Sequence, residues 1–105
     1  MAKPKFSLTT NPSFKAKVLI PVPGKAAEAV EFTFKGRTRE EFKELIESIK
    51  DREDVDVVMS VASGWELDDT WDKENVELLT QNYLGAARVI IEKYLSELTQ
   101  ARLGN

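Results

Sequence analysis

Hydrophobic and polar residues alternate from Ser13 to Val22, with Phe14, Ala16, Val18, Ile20 and Val22 on one side and Ser13, Lys15, Lys17 and Leu19 on the other. A period of two with one apolar face predicts a half-buried strand. Pro21 sits inside the run and has no N–H to give a neighbour, which puts it at a sheet edge or a strand end. Pro23-Gly24-Lys25 turns the chain, and a second run follows in which Val30, Phe32 and Phe34 alternate with Glu31, Thr33 and Lys35. The two runs predict an antiparallel hairpin joined by a loop of about six residues. A lone hairpin is marginal in water, so its apolar face must be covered.

The cover is expected from the next segment. Thr38-Arg39-Glu40-Glu41 is a capping box, with the hydroxyl at the N-cap and the carboxylate three residues on. Phe42, Leu45, Ile46 and Ile49 follow at the spacing of one helical face. Asp51 to Asp54 is a charged break. Val55 to Ala62 fits both templates: alternation puts Val55, Val57, Met59 and Val61 on a strand face, while helical spacing aligns Val55, Val58, Met59 and Ala62 and extends to Trp65. The helix is preferred, with Asp54 as its cap and Gly64 at its end. Trp65 to Asp72 then reads as an acidic loop bracketed by two tryptophans. Asp72 caps a helix from Lys73 to about Tyr83, Gly85 marks a boundary or kink, and Ala87, Ile90, Ile91, Tyr94, Leu95 and Leu98 form the cleanest helical stripe in the chain. The fold class is α+β: an N-terminal antiparallel β-hairpin packed against three to four α-helices, with a helical C-terminal half. Residues 1–12, with two prolines, read as a flexible N-terminal arm, and 13–105 as a single domain.

A chain of 105 residues with 42% hydrophobic and 31% charged residues suits one globular domain with its own core. It contains no Cys and no His. That removes disulfides, thiolate metal sites, the Cys nucleophile and the commonest general base. Residues 1–50 hold 10 Lys/Arg against 6 Asp/Glu, whereas residues 51–105 hold 5 against 12. The pI near 5.0 and the scattered basic positions oppose nucleic-acid binding. The opposed halves either are solvated faces or help partners dock. No apolar run approaches the ~20 residues of a membrane span, and the N-terminal residues lack a secretory stretch. The expected location is the cytoplasm.

Motifs for chemistry fail on inspection. A phosphate loop ending at Gly24-Lys25 would need glycine at Leu19 and a hydroxyl at Ala26. A calcium loop starting at Asp68 would need glycine at Lys73 and a carboxylate at Leu79. Ser63 has no histidine to activate it and no nucleophile elbow around it. Catalytic, cofactor-binding and metal sites are therefore all expected to be absent. Trp65 and Trp71 remain, six apart beside Asp68, Asp69 and Asp72. Each reads either as core or as a contact for a partner, with Trp71 the better contact candidate because exposed tryptophan dominates interface hot spots. Phe6 and Leu8, spaced to point the same way in an extended arm, complete the partner-binding candidates.

The order Ile20-Pro21-Val22-Pro23-Gly24-Lys25, Val30-Glu31-Phe32-Thr33-Phe34-Lys35, Arg37-Thr38-Arg39-Glu40-Glu41, Gly64-Trp65-Glu66-Leu67, Glu74-Asn75-Val76-Glu77-Leu78-Leu79, a helix containing Tyr94 and the closing Gly104-Asn105 resembles the tail assembly chaperones of long-tailed bacteriophages and their prophages. The resemblance spans roughly residues 14–105. One departure falls at Asn82-Tyr83-Leu84, where the family layout leads one to expect a proline. The resemblance implies a non-enzymatic assembly factor in the cytoplasm of the bacterial host. It implies that the chain binds the tape measure protein, recruits the major tail tube protein and self-associates, and that a longer form arises by frameshifting. No cofactor, nucleic acid or membrane enters that reading. Two other readings fit the residues: a tail completion or tube component retained in the virion, and a small regulatory protein-binding domain.

Overall fold

In order along the chain come β1 (Ser13–Val22), β2 (Lys25–Lys35), α1 (Arg39–Ile49), α2 (Asp54–Val61), β3 (Ala62–Trp65), α3 (Lys73–Asn82) and α4 (Ala86–Thr99). They are seen in a computed structural model that describes residues 8, 9 and 12–99. The predicted arm over residues 1–12 therefore falls largely outside the described residues.

The predicted hairpin forms, with Phe14 opposite Phe34, Ala16 opposite Phe32 and Val18 opposite Val30. Its turn is tighter than expected. Only Pro23 and Gly24 lie between the strands, and the pairing runs on through Leu19 with Ala29 to Val22 with Lys25. Gly24 has φ 76°, and proline followed by a left-handed glycine is the pattern of a type II turn. The register shifts between Ile20 and Val22. The stretch Lys25–Ala29 shows no apolar alternation because Ala26, Ala27 and Ala29 are small, yet the ladder is made by backbone groups and needs no side-chain pattern.

The sheet has a third strand. α2 spans 54–61 as a helix, but it is capped by Glu53 without a side-chain bond, and it stops at Val61. Residues 62–65 then pair antiparallel with β2, Phe32 opposite Trp65 and Thr33 opposite Gly64, in the sheet order β1-β2-β3. Asp54 is thus not the cap, Gly64 does not end a helix, and Trp65 lies on a strand rather than on a helical stripe. The open edge of β2 supplies hydrogen-bonding partners that no helical extension past Val61 would use.

The cover of the hairpin also differs from expectation. α4 lies on β1 and α2 on β2. α1 has its capping box, with the Glu41 N–H donating to Thr38 Oγ1 at 3.2 Å and the Thr38 N–H to Glu41 Oε1 at 2.8 Å. Of its apolar stripe, however, only Leu45 is buried, Phe42 and Ile49 are half-buried and Ile46 is 42% exposed. α2 takes the central place because valine fills several sides of it: Val55, Val57, Val58 and Val61 are all buried. Side chains of this kind contribute roughly 1.5–3 kcal/mol each when fully buried.

At the end of the hairpin remote from the turn, aromatic rings close the core. The Tyr94 ring lies 5.4 Å from Phe34 and 6.1 Å from Phe14, stacked on the latter at 10°. Its hydroxyl donates to the Lys35 carbonyl at 2.7 Å and accepts from Arg37 Nη1 at 2.9 Å, while Arg37 Nη2 donates to the Ser60 carbonyl at 3.0 Å. One network thereby joins β2, α2 and α4. Burial pushes the Tyr94 hydroxyl above its ordinary value of 10.0, and Arg37 opposes that shift without cancelling it. Among the described residues, no buried side-chain nitrogen or oxygen lacks a hydrogen-bond partner.

Candidate functional site

The loop between β3 and α3 is held at several points. Trp65 Nε1 donates to the Asp69 carbonyl at 2.8 Å. Asp72 caps α3 by accepting from the Asn75 N–H, and Asn75 Nδ2 donates back to the Thr70 carbonyl, both at 2.8 Å. At the strand end, the Glu66 N–H donates to the Glu31 carbonyl at 3.0 Å and the Glu31 N–H to Glu66 Oε2 at 2.8 Å. These bonds bring the two tryptophans together edge to face, with centroids 4.9 Å apart and planes at 89°, and Phe32 packs against both. Both indoles are half-buried and rest on the core.

Beside this pair runs an apolar groove. Its first hollow, about 230 Å³, is walled by Trp65, Leu67, Leu78, Leu79 and Tyr83. A second, about 490 Å³, opens between Pro21, Val22 and Pro23 of the hairpin and Leu84 of the α3–α4 turn. The two meet at Asn82, which lines both. Leu84 is 89% exposed and Leu78 53%. The second hollow has its shape because Gly85 lets the turn approach the hairpin: a Cβ on Gly85 would stand 3.1 Å from Pro21 Cγ. Asp69 is the one charged residue lining either hollow, and Glu66, Asp68, Glu74 and Glu77 are exposed on the adjoining loop and helix.

Of the residues the sequence suggests for partner contact, the structure brings Trp65 and Trp71 together. Trp65 lines the groove, and Trp71 braces it from outside the lining. Leu8 is 95% exposed, and Phe6 lies outside the described residues. Leu67, Leu78 and Leu84 are not singled out by periodicity, whereas Tyr83 falls at helical spacing with Val76 and Leu79. A signal for one of them is present: Leu78 lies about 200° around the helix axis from the buried Val76, so it faces away from that side. Tyr83 and Leu84 are presented by the segment that joins α3 to α4.

A polar hollow of about 400 Å³ lies between α1 and the start of the Arg37 segment, and its cations are engaged internally. Arg52 Nη2 donates to the Asp56 carbonyl at 3.0 Å, Arg37 is held by Tyr94 and Ser60, and Glu41 and Glu44 supply opposite charge. It serves cohesion rather than anion capture. Among the described residues there is no group of three or more acidic, His or Cys side chains placed to hold a metal ion, and no helix is long and apolar enough to cross a membrane.

Among curated proteins and among solved structures, no match to the chain is found. A family model described as phage tail assembly chaperone matches residues 1–105, from the first residue of the sequence to the last. The hairpin, the helical second half and the Gly64-Trp65 and Leu78-Leu79 segments that carry the resemblance all lie within that match. The chain belongs to the phage tail assembly chaperone family.

Proposed function

We propose that this protein is a non-enzymatic assembly factor that binds the tape measure protein and recruits the major tail tube protein while the phage tail is built, acting in the cytoplasm of the bacterial host and self-associating as it does so. The observation that carries this reading is the family match over the whole chain. The groove at Leu78 and Leu84 adds physical support, because an assembly factor that handles a long helical protein needs an apolar surface into which a helix can lie.

The test is co-expression with the tape measure and tail tube proteins, followed by pull-down on a tag and light scattering of the complexes. The expected result is a tape measure protein kept in solution with several copies of this chain on it. A chain that stays monodisperse and ignores both proteins ends the proposal. Purified virions serve as a second check: an assembly factor is missing from them, whereas a tail completion or tube component persists.

A further inference from the structure

We propose that the groove between α3, the α3–α4 turn and the hairpin end seats one face of an amphipathic helix that carries lysine or arginine beside its apolar stripe. This deepens the proposed function and rests on it only for the identity of the natural partner.

Three observations converge. The first is apolar exposure around two neighbouring hollows that share Asn82. Leu78 and Leu84 stand out from the surface at either side of Asn82, with Leu67 and Tyr83 beside them. Single exposed leucines are ordinary, but a row of them along one groove marks a binding surface. The second is rigidity. The Trp65–Trp71 pair and the hydrogen bonds of residues 65–75 hold one wall in place, so little ordering is left to be done when a partner arrives. The third is charge. No lysine or arginine lines the groove, Asp69 is among its lining residues, and Glu66, Asp68 and Glu74 are exposed on the adjoining loop and helix start. Such a field draws in a basic partner and turns away an acidic one. It also disfavours a second copy of this same acidic face.

The occupant's secondary structure follows from the walls. Most of the lining residues sit on α3 and on turns, where the backbone is already bonded within the chain. Only Trp65, Pro21 and Val22 of the lining belong to strands, and Pro21 has no N–H, so an extended peptide finds only a short, broken edge to pair with. A helix needs no such edge, and it presents anchors at i, i+3, i+4 and i+7 that match leucine-lined hollows in series.

The test uses the full chain and three synthetic peptides of about 14 residues, roughly 21 Å of helix. One is made of leucine and lysine with leucine on a single helical face, one replaces lysine by glutamate, and one scrambles the leucine/lysine order. None contains tryptophan, so the indole fluorescence of the protein reports binding, with calorimetry in parallel. The leucine/lysine helix is expected to bind at least about tenfold more tightly than either control, and Leu78→Ser/Leu84→Ser to weaken it by at least about tenfold. Both leucines are exposed, so the fold survives their loss, as circular dichroism checks. Asp68→Lys/Asp69→Lys, which leaves the Asp69 carbonyl in place for Trp65, is expected to shift preference toward the glutamate peptide. The proposal is overturned if the wild type does not bind the leucine/lysine helix, if the glutamate peptide binds equally well, or if the serine variant binds as the wild type does.

The same serine variant is then co-expressed with the tape measure protein. Loss of co-purification supports the groove as the natural site, and unchanged co-purification overturns it while leaving the chaperone reading intact. A wild type that binds the leucine/lysine helix but leaves the tape measure protein behind removes the chaperone reading and keeps the groove.

Discussion

The hairpin has two ends, and they are finished differently. Near its open end, Phe14 faces Phe34 across the ladder, both rings meet Tyr94, and the Tyr94 hydroxyl closes a network with Arg37, Lys35 and Ser60. Near its turn, Leu19 faces Ala29 and Ile20 faces Glu28. The open end gives the helices two rings to pack on, whereas at the turn end only Ile20 is buried. There the α3–α4 turn touches the hairpin through Gly85 against Pro21 and leaves Leu84 outside. Stability is concentrated at one end and apolar binding surface at the other, and the cross-strand pairs decide which is which.

That contrast can be broken from the stable end first. Phe34→Ala removes a fully buried ring between Phe14, Phe32 and Tyr94, and is expected to cost about 3–5 kcal/mol in urea unfolding. Tyr94→Phe keeps the ring but strips Arg37 and the Lys35 carbonyl of their partner, an expected loss of about 1–3 kcal/mol. The same variant changes the alkaline limb. Because the folded state holds the Tyr94 proton more tightly than the unfolded chain does, that contribution to stability is complete below pH 10 and is lost as pH rises through the raised value. Unfolding midpoints measured from pH 8 to 11 should fall in the wild type, and should fall less steeply in Tyr94→Phe.

At the turn the effects on stability shrink. Gly85→Ala forces a methyl against the stiff Pro21 ring, an expected cost of about 1 kcal/mol, and it pushes the second hollow open, which weakened peptide binding would reveal. Leu84→Ser, at an 89% exposed position, is expected to change stability by less than about 0.5 kcal/mol while weakening the leucine/lysine helix measurably. A large destabilisation by Leu84→Ser would erase the contrast between the two ends.

Most elements were legible where a local rule decides them. Alternation located both strands, the Thr38–Glu41 capping box located α1, and Asp72 located the start of α3. Partnership was not legible. The stripe Phe42, Leu45, Ile46 and Ile49 announces an apolar helix face but not what lies opposite, and α2, whose valines satisfy no single face, won the central position instead. β3 was hidden because Ala62–Trp65 has no alternation of its own and becomes a strand only through the free edge of β2. For the site, Trp65 was visible by residue type. Leu78 and Leu84 were not, since their role comes from the meeting of a turn with a hairpin some sixty residues earlier in the chain.

The length of α4 carries a spatial consequence. Its 14 residues span about 21 Å at 1.5 Å per residue, with Gly85 and the groove at its beginning and Thr99 at its far end beside Phe42 and Arg39. α4 thus sets its two ends about 21 Å apart, with the groove at one and Phe42 and Arg39 at the other.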